Sequence, residues 1–113
     1  MRAAYQNTDL KALGKKANKL LENCQLCPRR CGVNRIAGEL GQCQTAKDVI
    51  VASFGPHFGE ETELVGQHGS GTIFFAYCNL HCVFCQNYEI SQYGRGERFD
   101  NTELATIMLR LQA

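Results

Sequence analysis

Three thiols stand close together in Cys78-Asn79-Leu80-His81-Cys82-Val83-Phe84-Cys85, spaced C-x3-C-x2-C. Three neighbouring cysteines cannot all pair as disulfides, because one is left over. They can converge on one metal centre. Thiolates are the protein ligands of iron–sulfur clusters, and three of them on a cubane leave its fourth iron open. An open position marks a catalytic metal site, as it does for zinc. The alternative reading is a zinc knuckle with His81 as fourth ligand, or reduced buried thiols. A loop this short closes a tetrahedron poorly when the histidine lies between two of its cysteines.

A second group precedes it: Cys24-x2-Cys27-x3-Cys31-x11-Cys43, broken by Pro28, Gly32, Gly38 and Gly41. No apolar period runs through residues 24–47, so the segment is expected to be irregular and unable to bury a core of its own. Four thiolates at this spacing can hold a structural zinc or a second iron–sulfur cluster, and such a metal would itself stabilise the fold. The competing reading is a set of reduced thiols in a packed loop. Arg29, Arg30 and Arg35 can offset thiolate charge here or meet an anionic substrate, or simply face solvent.

The elements that must position these thiols follow from local pattern. Thr72-Ile73-Phe74-Phe75-Ala76-Tyr77 is rich in β-branched and aromatic residues and opens on Gly69-Ser70-Gly71, which predicts a buried strand leading into the first cysteine loop. After that loop, residues 89–100 are polar, with Gly94 and Gly96 flanking Arg95, and read either as a glycine-rich loop that lets substrate or cofactor approach the backbone or as a plain flexible connection. A helix is expected from Asp100, Asn101 or Thr102, with Leu104, Ile107, Met108 and Leu111 on its apolar face. Strand, loop and helix make one βα unit. Upstream, Val49-Ile50-Val51-Ala52 predicts a short strand, and Phe54 to Glu61 a turn and an acidic stretch. His57, next to that turn, is a candidate ligand or proton donor, though a single loop histidine more often only packs. The glycines from Gly66 to Gly71 precede a strand instead of opening a helix, so they do not form a phosphate loop. Residues 1–23 predict an amphipathic helix capped by Asn7 or Thr8. Its apolar stripe is Leu10, Leu13, Ala17, Leu20 and Leu21, and its solvated face carries Lys11, Lys15, Lys16 and Lys19.

Composition bounds what remains. The chain has 113 residues and a net charge of +1, with 44% hydrophobic residues. Near-zero charge gives no footprint for nucleic acid or an anionic membrane surface. No apolar run is long enough for a spanning helix, and none follows the first charges as a secretory signal does. Seven cysteines, an odd number in C-x2-C spacings, favour metal ligation in a reducing compartment over a disulfide scaffold, so a cytoplasmic protein is expected.

The three-cysteine motif, with Phe84 before its last cysteine and a strand in front, resembles the cluster motif of radical S-adenosylmethionine (radical SAM) enzymes. The likeness extends through Leu26 to Gly32, Gly38 to Cys43, Phe58 to Glu61 and Gly69 to Phe75. It points to a subgroup similar to pyruvate formate-lyase activating enzymes. The resemblance implies an α/β fold, the N-terminal portion of a partial (β/α) barrel, with the barrel beginning at residues 48–113. It implies a [4Fe–4S] cluster on Cys78, Cys82 and Cys85, S-adenosylmethionine chelated by the open iron, and Phe84 near the adenine. One-electron cleavage would yield a 5′-deoxyadenosyl radical. A donor such as flavodoxin or ferredoxin would supply the electron, and the substrate could be a protein, as for an activase. No residue is assigned to catalysis beyond these. The chain stops at Ala113 without a helix-ending signal, which reads as a barrel cut after its first βα unit, with 113 residues alone expected to be inactive. The alternative is a non-catalytic module, either an iron–sulfur electron carrier or a zinc-stabilised interaction domain.

Overall fold

A computed structural model describes residues 8–112. Three strands form one sheet in the order β2-β1-β3. They are β1 (Val49–His57), β2 (Ser70–Phe75) and β3 (Glu97–Phe99). Both pairings are antiparallel. A (β/α) barrel is built from parallel strands, and the described residues hold no parallel pair. The barrel expectation is therefore not carried by this sheet.

Residues expected to turn at Gly55-Pro56 instead continue β1, with Gly55 facing Thr72, Pro56 facing Gly71 and His57 facing Ser70. Proline is tolerated because β3 pairs only with Val49, Ile50 and Val51. The outer half of β1 is thus an edge on that side, where a missing N–H costs no ladder bond. Thr72 Oγ1 adds a 3.0 Å bond to the Gly55 carbonyl. A bulge between Val51 and Ser53 shifts the register from Val51–Phe75 to Ser53–Phe74, and bulges of this kind bend the strand.

Helix α1 spans Leu10–Lys19, and Asp9 caps it, its side chain accepting from the Ala12 amide at 3.0 Å. The cap is therefore Asp9, and Asn7 lies outside the described residues. The apolar stripe is left largely uncovered, with Leu10, Leu13 and Leu20 all exposed. A one-turn helix α2 (Thr62–Val65) bridges β1 and β2, and another, α3 (Tyr88–Ser91), follows the cysteine loop. Neither α3 nor β3 was expected in the polar stretch 89–100.

Helix α4 spans Asn101–Gln112. Asp100 Oδ1 accepts from the Thr102 and Glu103 amides at 2.7 and 2.9 Å, while Glu103 Oε2 accepts from the Asp100 amide at 2.8 Å. This is a reciprocal capping box. α4 packs on the sheet, burying Ile107 and touching Gly71 through Leu111. The core is thin. Val51, Ala76, Ile107 and Cys24 are its buried apolar side chains among the described residues. Phe74 and Phe75 are half exposed, so β2 is less buried than its composition predicts. No helix of the described residues is long and apolar enough to cross a membrane.

Candidate metal centre

The first cysteine loop leaves the sheet through two anchors. The Ala76 amide donates to the Ile50 carbonyl and the Tyr77 amide to the Ile90 carbonyl, both at 2.8 Å. Tyr77 then takes a left-handed conformation, φ 63°, which swings the chain off the sheet just before Cys78. Its ring occupies the space beside Gly94, where an added Cβ would lie 2.1 Å from the ring. Tyr88 and Tyr93 meet edge to face at 5.4 Å and hold α3 against the turn that carries Gly94.

Within the loop, the Leu80 amide donates to Cys78 Sγ at 3.4 Å. Cys85 Sγ lies 3.3 Å from Ser91 Oγ on α3. The Cys82 carbonyl accepts from Gln92 Nε2 at 3.1 Å and from the Cys85 amide at 3.3 Å. The three cysteines are half-buried, while Val83 and Phe84 between them are 97% and 87% exposed. The loop therefore shelters its sulfurs and offers an aromatic face to solvent. His81 Nε2 lies 3.0 Å from the Gln42 carbonyl, engaged with the other cysteine segment. His57 stands far along β1, 3.7 Å from Glu60 at an exposed corner.

The second segment is held by turns. Gly32 N–H donates to the Cys24 carbonyl at 2.9 Å and Cys24 N–H to the Val33 carbonyl at 3.1 Å, closing a loop round residues 24–33. Cys24 is fully buried. Cys31 Sγ rests against Gly41, where any Cβ would lie 2.7 Å from the sulfur. Arg35 Nη2 donates to Cys43 Sγ at 3.1 Å.

The two segments meet at Asn79. Arg29 Nε donates to the Asn79 carbonyl. The Asn79 side chain, followed by the backbone amide of Arg29, holds the Cys27 thiol below its ordinary pKa; a smaller burial effect opposes them. Sequence reading singled out the cysteines and Phe84 but missed Asn79, Ser91, Gln92 and the Tyr77–Gly94 contact. Arg29 and Asn79 are fifty residues apart, and no local pattern signals their pairing. Arg35, considered only as one of three arginines, donates from its side chain to the Cys43 sulfur.

Among the described residues no three Cys, His, Asp or Glu side chains are gathered closely enough to hold a metal ion. The donor chemistry of the first loop still suits an iron–sulfur cluster: three soft thiols on one turn, two of them with hydrogen-bonding neighbours. Binding would draw the sulfurs together, which is the usual coupling of metal and fold.

These features define a cysteine-rich α/β chain with a thiol loop at a sheet edge. It is similar to an uncharacterized protein of Methanocaldococcus jannaschii, 46% identical over 76 residues, which are 67% of this chain and 21% of that protein. The chain thus spans about a fifth of the length of that curated relative. No family model and no solved structure matches it.

Proposed function

We propose that Cys78, Cys82 and Cys85 hold a [4Fe–4S] cluster, in a radical SAM protein that reductively cleaves S-adenosylmethionine. The observation that carries this reading is the C-x3-C-x2-C loop itself, set at the end of β2 with half-buried sulfurs and an exposed Phe84. When bound, the cluster would supply the electron for cleavage to a 5′-deoxyadenosyl radical.

The chain's own part is to bind and orient. The Leu80 amide and the Ser91 hydroxyl neighbour two of the ligand sulfurs, and hydrogen bonds to cluster sulfurs are a lever on potential. Tyr77, wedged at Gly94, sets the direction in which the loop leaves the sheet. Phe84 offers an apolar ring on which an adenine can stack. A reducing, cytoplasmic setting, a flavodoxin- or ferredoxin-like donor and an activase-like protein substrate belong to the same proposal.

The test is metal and sulfide analysis of anaerobically prepared protein, with electron paramagnetic resonance of the reduced sample. A cubane signal that shifts when S-adenosylmethionine is added, and that disappears in Cys82→Ala, is the expected result. Zinc without sulfide at this loop would sink the reading and favour a non-catalytic interaction module. A cluster indifferent to S-adenosylmethionine would favour an electron carrier.

A further inference from the structure

The two cysteine segments share a backbone device. In Cys78-x3-Cys82, the amide two residues on, Leu80, points at the first sulfur, and the third spacer, His81, is left-handed with φ 55°. In Cys27-x3-Cys31, the backbone amide two residues on, Arg29, is among the groups that lower the Cys27 thiol pKa, and the third spacer, Arg30, is left-handed with φ 42°. A non-glycine residue in that region is uncommon, and here it recurs at the same place in two turns of the same length. Turns that aim successive N–H groups at one point are anion cradles. Each of these acts on a sulfur.

We propose that Cys24, Cys27, Cys31 and Cys43 form a second thiolate centre for a thiophilic metal, seated against the first loop at Asn79. Three further observations support it. The hydrogen bonds around Cys24 close residues 24–33 into a loop, and Cys31 sits on Gly41, two residues before Cys43; the four sulfurs are not gathered in one coordination sphere, so binding would have to draw them together. Arg35 donates to Cys43 Sγ through Nη2, while its Nε is buried with no acceptor. A half-buried guanidinium with its Nε enclosed beside a thiol calls for negative charge, and four thiolates round a divalent ion or a cluster supply it. Finally, Cys24 is the segment's buried side chain. A stretch with so little apolar burial gains its order from something else, and metal ligation is the usual source in small irregular segments. The N–H donors to Cys27 and Cys43 can stay in place as the side chains rotate onto a metal, because a ligating sulfur still accepts hydrogen bonds.

The proposal is independent of the cluster assigned to the first loop, and the test separates them. The full chain carrying Cys78→Ala, Cys82→Ala and Cys85→Ala is prepared anaerobically and titrated with cobalt(II), with zinc, iron and sulfide measured on the protein as isolated. About one metal centre per chain is expected, with thiolate-to-cobalt charge-transfer bands. Zinc without sulfide identifies a mononuclear site, and iron with sulfide a cluster; both uphold the centre. A triple variant that binds neither cobalt nor iron and yet keeps the far-ultraviolet circular dichroism of the unaltered chain overturns it. Should the triple variant not fold, Cys27→Ser with Cys31→Ser in the otherwise unaltered chain decides. Loss of one centre, with the S-adenosylmethionine-sensitive signal retained, upholds the proposal. Unchanged metal stoichiometry overturns it.

Discussion

The chemistry of this chain rests on individual side chains whose neighbours come from distant parts of the sequence. Phe84 is the clearest case of a residue spent on solvent exposure. A ring 87% exposed costs apolar hydration that an incoming aromatic base could relieve. Under the radical SAM proposal, Phe84→Ala should therefore leave cluster content unchanged and weaken S-adenosylmethionine binding by roughly 1 kcal/mol, about fivefold. The check is a titration of the cofactor-induced shift in the paramagnetic signal; an unchanged midpoint would remove Phe84 from the site. Cys27 makes a second case. With its pKa held low by the Asn79 side chain, its thiolate forms at lower pH than an ordinary thiol's. In metal-free protein, iodoacetamide labelling of Cys27, read by mass spectrometry against pH, should move to higher pH in Asn79→Ala. A profile that does not move would mean that Asn79 does not act on this sulfur.

At the scale of elements, what could be read from sequence was what local pattern encodes. Helix α4 was legible because a capping residue at Asp100 to Thr102 precedes Leu104, Ile107, Met108 and Leu111 at helical spacing, although Met108 turns out to be half exposed and the Glu103 side of the capping box was not foreseen. Strand β2 was legible from its aromatic and β-branched run. The length of β1 was hidden, because Gly55-Pro56 is a turn signal that pairing with β2 overrides. Strand β3 was hidden because Glu97-Arg98-Phe99 is too short and polar to show a period, and its existence depends on pairing with Val49–Val51. The antiparallel topology likewise follows from which strands meet, which no single segment specifies. The thiols themselves were legible from spacing, whereas the Asn79 seam was not. The cap carries a direct prediction. Asp100→Ala removes the acceptor for two α4 amides and should destabilise the chain by about 1 kcal/mol. Ile107→Ala, at the buried contact between α4 and the sheet, should cost more, roughly 2 to 4 kcal/mol. Denaturant titration of both variants checks the order; an Asp100 effect larger than that of Ile107 would contradict the packing described.

For the molecule as a whole, burial is unevenly distributed. Val51 on β1, Ala76 just past β2 and Ile107 on α4 are buried, whereas Leu10, Leu13, Leu20, Leu26 and Leu40 remain exposed in the N-terminal part. Free energy of opening follows local burial, so the two parts should not share one transition. Amide exchange in metal-free protein should be slow at Val51, Ala76 and Ile107 and fast through residues 25–43, which are half-buried or exposed. Thiolate–metal bonds would change that distribution, since a metal that binds the folded segment and not the unfolded chain stabilises by mass action. Loading with zinc or reconstitution with iron and sulfide should then slow exchange at Cys24, Gly32 and Arg35, whose amides bond within the segment and to Leu21. A chelator should reverse it. If those amides exchanged equally fast with and without metal while α4 stayed protected, the order of residues 24–43 would have to come from packing alone. A single sharp thermal transition in the metal-free chain would point the same way, because it would require the exposed leucines of the N-terminal part to cooperate with a core they scarcely touch.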